Sequence, residues 1–270
     1  MNKILKYRQS NSIRLKCEIN LDNLFESPTE KSRFNSKWCQ FLASDPRNAE
    51  IFHLKGNRLC YDSEQLIPTK TDKRPPLLLV LGNPASQSIK NRMFFSFQSN
   101  GNEHRFWKSI LKNAEILRFN YDIRLPYDIL NMQRKKQLLN LNYDSPFRIG
   151  LCVFITMPSA PGGTWGGVAG VQKLIGVRAL KKLEQEETNR ILKLAKKFVN
   201  SKGAAIAFQK NAWKNLHSEK DPAYHIEDAR KGKLRGKLKK ASHIPFFGVP
   251  PTRLSGPCGK VLKQIASKLK

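Results

Sequence analysis

The chain has 270 residues, of which 49 are Lys or Arg and 21 are Asp or Glu, so its net charge is +28. This length can bury a sizeable core in one large α/β domain, and no run approaches the roughly 20 apolar residues that a membrane span needs. The basic excess favours a polyanionic partner, and nucleic acid is the first candidate. A basic surface without a specific ligand is the alternative.

The N-terminal segment and the cysteines indicate an intracellular protein. Residues 1–16 are basic but contain no apolar stretch of signal-peptide length. The cysteines are Cys17, Cys39, Cys60, Cys152 and Cys258. They are scattered, with no C-x-x-C pair and no histidine at metal-ligand spacing. We therefore expect reduced structural thiols in a cytoplasmic protein, with no metal and no other cofactor.

Residues 1–75 are mixed, polar and punctuated by prolines. Apolar residues from Phe34 to Leu42 recur at helical spacing and predict a helix. We interpret 1–75 as a basic N-terminal cap that packs on a main domain covering 76–270.

The run Leu77–Leu81 is continuously apolar and ends at Gly82-Asn83-Pro84. Such a run predicts a buried strand of a parallel sheet, and ligands bind beyond the carboxyl ends of such strands. Asn83 is therefore the first candidate site residue. A loop over 83–102 and a helix follow, and we expect Phe106 and Trp107 of that helix to lie in the core.

Three further apolar runs predict strands. They cover 149–157, 204–208 and 244–249, and helices are predicted at 103–113, 127–141, 186–200 and 259–268. This alternation indicates a three-layer α/β/α fold with a central, mostly parallel four-stranded sheet. Three strand ends would then lie at one edge of the sheet. They are Asn83 with Pro84, Pro158 with Ser159, and Pro251 with Ser255.

Two segments interrupt this alternation. Residues 218–242 are polar and rich in Lys and Gly, so we expect an exposed basic insertion. The part from Arg230 to Lys240 either clamps a nucleic-acid backbone or is a solvated loop. The segment Gly162–Gly167 follows a strand but has neither the Lys-Ser/Thr of a phosphate-binding loop nor G-x-G-x-x-G spacing. It does not indicate a nucleotide cofactor.

The order of these motifs resembles the uracil-DNA glycosylase superfamily, closest to its mismatch-directed branch. That branch has G-I-N-P-G, F-P-F and N-R-F-W, and the chain has Gly82–Ala85, Phe95–Phe97 and His104–Trp107. Residues 250–255 (PPTRLS) are similar to the second family motif, H-P-S-P-L-S. The strand at 204–208 and the residues after it resemble a family strand that ends in G-x-x-A. The resemblance covers residues 75–268.

The resemblance implies hydrolysis of the N-glycosidic bond of a base that is flipped out of DNA. Asn83 would hold the attacking water, and Gly82, Pro84 and Ala85 would lie close to the base. Phe97 would stack on the base, or it is a phenylalanine packed in the core.

The second motif would contact DNA. Leu254 would fill the gap that the flipped base leaves, while Thr252 and Ser255, next to Pro251, would contact phosphates. Arg253 is absent from the family pattern and would add a phosphate or opposite-strand contact. The alternative is an ordinary turn before a helix.

Two departures from the family pattern limit what it implies. Pro250 stands where the most active members carry a histidine that stabilises charge on the departing base. No amide lies between Thr156 and Ser159, where many members place a base-reading asparagine, so the Gly162–Gly167 loop would have to replace it. The base that is excised is not specified.

We therefore expect a monomeric, metal-free DNA repair glycosylase. A non-catalytic DNA-binding relative of the same fold is the first alternative. A basic RNA-associated protein, which the charge alone supports, is the second.

Overall fold

The computed structural model describes residues 3–10, 13–97, 102–122, 124–200 and 202–269, so residues 98–101 of the predicted loop lie outside the described residues. The chain divides into two compact units, neither of which is contiguous. The first unit comprises Met1–Gln65, Gly82–Phe94 and Val153–Asn189. The second unit comprises Leu66–Leu81, Phe95–Cys152 and Arg190–Lys270. A domain boundary near residue 75 stays a prediction.

The described residues form nine strands and a set of helices. The strands are β1 (Leu5–Gln9), β2 (Arg14–Asn20), β3 (Phe52–Lys55), β4 (Arg58–Leu66), β5 (Pro76–Leu81), β6 (Arg148–Val153), β7 (Ala204–Ala207), β8 (Arg235–Leu238) and β9 (Ala241–Gly248). The helices are α1 (Leu21–Leu24), α2 (Pro28–Ala43), α3 (Asn48–Ile51), α4 (Ser86–Asn91), α5 (Tyr127–Asn140), α6 (Gly167–Ile175), α7 (Val177–Phe198), α8 (Lys210–Leu216), α9 (Ile226–Arg230) and α10 (Ser255–Leu269). The π-helix Phe106–Leu111 and the 3₁₀-helix Gly163–Trp165 complete the set.

The first unit contains antiparallel strands that the sequence analysis missed. β2 pairs with β1 and with β4, and β3 pairs with β4, all antiparallel. On β2 the buried residues Leu15, Cys17 and Ile19 alternate with more exposed polar residues, as expected where one face meets the core. Helix α2 confirms the helix that was predicted around Phe34–Leu42.

The second unit contains the predicted parallel strands. β5 pairs with β7 and β7 with β9, all parallel, and every residue of β5, β6 and β7 is buried. The strand order is β6-β5-β7-β9-β8, and β8 is antiparallel to β9. The chain is thus α/β, but its strands are mixed in direction and number nine in the described residues. The expectation of four mostly parallel strands is correct only in part.

Several predicted elements differ in extent. The strand predicted over 149–157 ends at Val153, although residues 154–157 remain buried. The helix predicted over 103–113 is the π-helix Phe106–Leu111, in which Phe106 and Trp107 are buried as expected. Helix α7 begins nine residues before the predicted start at 186, and α10 begins four before the predicted start at 259.

The segment 218–242 is not simply an exposed insertion. It contains α9 and β8, and it buries Ala229, Leu234, Leu238 and Ala241. Its Lys and Arg residues suggested full solvation, but these four apolar residues attach it, and β8 also gains backbone hydrogen bonds from β9.

Candidate active site

Asn83 lies in the first unit, two residues beyond the end of β5, and is half-buried. Its Nδ2 donates hydrogen bonds to the carbonyl oxygen of Met157 (3.2 Å) and to Oγ of Ser159 (2.9 Å). Ser159 Oγ in turn donates to the carbonyl of Ala160 (3.3 Å). These acceptors fix which way the amide points, because only its nitrogen can donate.

The backbone explains why these residues meet. The two segments that follow β5 and β6 run side by side, since Ser159 N donates to Pro84 O (3.1 Å) and Ser86 N donates to Ser159 O (2.9 Å). Ala85 and Ser159 form an isolated parallel bridge. Two of the three predicted strand ends, Asn83 with Pro84 and Pro158 with Ser159, are thus brought together in the first unit.

The other predicted base-binding residues of the first unit line the same turn. Gly82 and Ala85 are half-buried and Pro84 is buried. The carbonyl of Gly82 accepts a hydrogen bond from Ile155 N (3.0 Å), and this bond holds the segment after β5 beside the segment after β6. Ser86 Oγ lies 2.6 Å from Asn48 Oδ1 and 2.9 Å from Ser159 O, which anchors the start of α4.

Asn83 Oδ1 is the hydrogen-bond acceptor of this amide. Within the part of the chain that the structure describes, no group donates a hydrogen bond to it. An amide oxygen is a good acceptor but a very weak base, so it can orient a water molecule without deprotonating it.

Thr156 occupies the region in which the family resemblance would place a base-reading amide. Its N and Oγ1 donate to Glu187 Oε1 at 2.6 and 2.5 Å, and Tyr61 OH lies 2.9 Å from its Oγ1. All three side chains are buried. Because Thr156 is fully engaged in this network, it has no free polar group with which to read a base.

The Gly162–Gly167 loop is built around its tryptophan. Trp165 is 9% exposed and packs edge-on against Phe41 at 5.9 Å, and Lys173 Nζ lies 4.6 Å from the ring centroid. A Cβ at Gly170 would lie 2.1 Å from Trp165 O, so close backbone approach requires glycine there. These contacts give the loop a packing role.

Phe97 belongs to the second unit and has no exposed surface. Its N–H donates to Oδ1 of Asn131 (2.9 Å), and the guanidinium of Arg134 lies 4.4 Å from its ring centroid. Both partners lie on α5, one helical turn apart. Helix α5 therefore holds this residue by its backbone and by one face of its ring.

Arg134 occupies a cage that sequence reasoning did not detect. Its side chain is fully buried, and its guanidinium lies over four rings, those of Phe97, Trp107, Phe119 and Tyr121, at 4.4 to 5.5 Å. Its Nη2 donates to Glu103 Oε1 and to Tyr121 OH. A buried cation is stable only when it is paired in this way.

The ionisation of the cage follows from its burial. Burial raises the pKa of Tyr121 to about 12, against the opposing charge of Arg134. Burial lowers the pKa of Arg134, and Tyr121 and Glu103 counter that effect. Since a guanidinium does not lose its proton in proteins, Arg134 remains a cation beside Phe97.

His104 adjoins this cage. Its pKa is lowered from 6.5 to about 4, first by burial and then by the charges of Arg105 and Arg134. Its Nδ1 accepts the N–H of Phe106 (3.1 Å), which leaves the ring proton on Nε2 in the neutral form. The ring stacks on Phe95 at 4.6 Å. His104 is thus a neutral side chain of fixed tautomer at pH 7.

The second motif forms a turn that leads directly into α10. Leu254 N donates to Pro251 O (2.8 Å), and Cys258 N donates to Leu254 O (2.9 Å). Pro251, Thr252, Leu254 and Ser255 are half-buried, and Arg253 is exposed. The turn is therefore open to solvent along one side.

Two residues outside the second motif, Arg105 and Tyr224, interact with Arg253. Arg105 Nη1 donates a hydrogen bond to Arg253 O (3.4 Å). Burial raises the pKa of Tyr224, and the positive charge of Arg253 opposes this rise. Pro250 is buried. Its side chain is an apolar ring, so it cannot supply the side-chain N–H that a histidine would supply there.

Among the described residues, no three or more His, Cys, Asp or Glu side chains are grouped so that they could hold a metal ion. In the same part of the chain, every helix is too short or too polar to span a lipid bilayer.

Comparisons with known proteins identified no family for this chain. No family model matches the chain, and no curated protein matches it at a significant level.

Proposed function

We propose that the protein is a DNA N-glycosylase that removes a flipped-out uracil or another deaminated or mismatched base. One observation carries the proposal. The nitrogen of the Asn83 amide donates to two acceptors, while no donor to its oxygen is found among the described residues, and the amide lies two residues beyond a buried parallel strand. This geometry suits an acceptor for a water molecule, and it coincides with the motif that resembles the uracil-DNA glycosylase superfamily.

The proposed reaction needs little more than orientation. The bond between the sugar C1′ and the base breaks, and its electron pair leaves with the base. The oxygen of the water bonds to C1′, the proton that this water loses passes to the solvent, and the departing base takes up a proton from the solvent. Asn83 Oδ1 accepts a hydrogen bond from that water and directs its lone pair at C1′. Alignment of this kind is worth several powers of ten in rate. Turnover is expected to be slow, because no strong base takes part.

The remaining residues have roles that follow from their chemistry. Gly82, Pro84 and Ala85 would lie close to the base. Phe97 is fully buried beside the guanidinium of Arg134, which favours the alternative that it is a phenylalanine packed in the core. The turn Pro251–Ser255 would bind DNA, with Leu254 as the apolar wedge and Arg253, Thr252 and Ser255 on phosphates. The three-layer arrangement and a cytoplasmic location belong to the same proposal.

A cleavage assay tests the proposal. Purified protein is incubated with duplexes that contain uracil, U·G, T·G or hypoxanthine, and alkali then cleaves any abasic site. We expect cleavage of at least one substrate. Binding of all of them without any alkali-labile site would overturn the proposal and favour a non-catalytic relative, which the proline at position 250 would then explain. Stronger binding of RNA than of any of these duplexes would favour an RNA-associated protein.

The Asn83→Ala variant tests whether the amide of Asn83 takes part in catalysis. Its excision rate should fall about 100-fold or more, because misplacement of the attacking group costs that much. DNA affinity should stay unchanged. Gln87→Ala is the matched control, since Gln87 is half-buried on the adjacent helix α4 and should leave both quantities unaltered. Equal excision by wild type and Asn83→Ala would remove Asn83 from the mechanism.

A further inference from the structure

The β8–β9 hairpin of the second unit presents one face that is basic and one that is apolar. On β8 Arg235 and Lys237 are exposed and Leu238 is buried, and Leu234, just before the strand, is buried too. Successive side chains of a strand point to opposite faces, so Arg235 and Lys237 share one face. Lys233, also exposed, lies two residues before β8 in the segment that leads into it.

These three cations have no acidic partner among the residues that the structure describes. The nearby carboxylate of Asp221 is turned elsewhere, because it accepts the backbone N–H groups of Ser218 (3.1 Å) and Lys237 (2.8 Å). A Cβ at Gly236 would lie 2.1 Å from Asp221 Cγ, which places this carboxylate on the face opposite to Arg235 and Lys237. The basic face therefore keeps its full positive charge.

Protection of a bare sheet edge does not account for the cations. Lysines often guard an edge strand against pairing with another chain. The free side of β8 is already occupied, however, since Ser218 N donates to Lys237 O (3.0 Å) and Lys239 N donates to Leu216 O (2.7 Å). The hairpin turn adds Lys240 at a φ of +56°, where a side chain costs roughly 1 kcal/mol relative to glycine.

The basic face leads into the turn that we propose contacts DNA. β9 lies opposite β8, with Phe247 facing Arg235, and the chain continues from β9 into the Pro251–Ser255 turn. Three residues lie between Phe247 and Pro251, so the two are at most about 13 Å apart along an extended chain. This distance is shorter than one helical repeat of duplex DNA. A phosphate backbone that contacts the Pro251–Ser255 segment can therefore also reach the cations of the hairpin.

We propose that Lys233, Arg235 and Lys237 form a second contact surface, which binds the phosphate backbone of DNA independently of sequence and beside the Pro251–Ser255 turn. The inference deepens the proposed function and rests on it for the identity of the ligand. Each phosphate that a cation neutralises changes the slope of log affinity against log salt by about 0.9. Three contacts therefore account for about 2.7 of that slope.

The test compares two triple variants of the full chain. One carries Lys233→Gln, Arg235→Gln and Lys237→Gln, and the control carries Lys193→Gln, Lys196→Gln and Lys197→Gln on the exposed face of α7. Both lose three positive charges. Affinity for an undamaged labelled duplex is measured by fluorescence anisotropy between about 50 and 200 mM salt. The hairpin variant should have a slope smaller by about 2 to 3, and the control should keep the wild-type slope.

The result is independent of catalysis because the probe contains no damaged base. Equal slopes for wild type and the hairpin variant would overturn the proposed surface, and so would equal losses in both variants, which would indicate a diffuse charge effect. A slope that falls only in the hairpin variant, in a protein that excises no base, would keep the surface and refute the glycosylase. Thermal unfolding of each variant shows that the fold is retained.

Discussion

Asn83 and Ser159 are joined by a hydrogen bond of 2.9 Å from Nδ2 to Oγ, and through it the segment after β6 fixes an amide on the segment after β5. The second anchor of this amide is a backbone carbonyl, that of Met157. Of the two, only the serine hydroxyl can be removed by substitution. The orientation of the candidate catalytic group can therefore be loosened without changing the group itself.

Ser159→Ala should lower the single-turnover excision rate about tenfold, since Asn83 keeps one anchor and its amide gains freedom to rotate. The free energy of unfolding should fall by only about 1 kcal/mol, the net value of one hydrogen bond. Ser86→Ala is the matched control, because it removes a buried hydroxyl that contacts the same segment but not Asn83. If both variants slow excision equally, the anchor has no specific role.

Leu254→Ala should slow excision from duplex DNA several-fold, because an alanine cannot fill the space that a flipped base leaves. Excision from single-stranded DNA that carries the same base should be unaffected, since no such space forms there. The turn itself is held by backbone bonds, so stability should change by less than about 1 kcal/mol. A loss that is equal on both substrates would show that Leu254 is not a wedge.

Arg134→Met should destabilise the protein by about 3 to 5 kcal/mol, because it leaves the carboxylate of Glu103 in a largely buried site without its cation. Urea unfolding measures the change. Adding Glu103→Gln to Arg134→Met should restore a large part of the loss. Failure of the double variant to recover any stability would mean that the aromatic contacts of the guanidinium, and not its charge pair, hold the cage together.

His104 should make stability fall at acidic pH. Its folded pKa of about 4 lies below the ordinary value of 6.5, so between these values the unfolded chain binds the extra proton. Its contribution is complete above pH 6.5 and is lost as the pH falls towards 4, by up to about 1.4 kcal/mol for each pH unit.

The variant His104→Asn isolates this effect. Its Oδ1 can still accept the N–H of Phe106, but it does not titrate. The difference in unfolding free energy between wild type and this variant should change between pH 6.5 and 4 and stay flat above pH 7. Glu64, whose pKa burial raises well above its usual value, cancels in the difference. A difference that stays flat across the whole range would refute the assignment to His104.

The sequence predicted the elements whose burial is continuous. The run Leu77–Leu81 and the strands β6 and β7 are buried along their whole length, so their sequences contain runs of mostly apolar residues that are easily recognised. Asn83 was found for the same reason, because it marks the end of such a run. The alternation in β2 was also present, but only Leu15, Cys17 and Ile19 carry it, and so short a pattern does not stand out in a polar segment.

The Arg134 cage could not be predicted from hydrophobicity. The buried face of α5 consists of Leu130, Asn131, Arg134 and Leu138, so half of it is polar and no apolar stripe marks it. Its partners, Phe97 and Glu103, lie about thirty residues earlier in the chain. Only the fold shows that an arginine and an asparagine face inward there, and that Phe97 is their shared neighbour.

The interleaving of the two units has a consequence for the order of synthesis. Each unit draws on segments from early and late parts of the chain, so the first is incomplete until residue 189 has been made and the second until α10 has been made. The apolar strand β5 emerges long before β7, beside which it is buried. During translation this apolar strand is therefore made before the strand that covers its edge, and unpaired apolar strands of this kind are prone to aggregation.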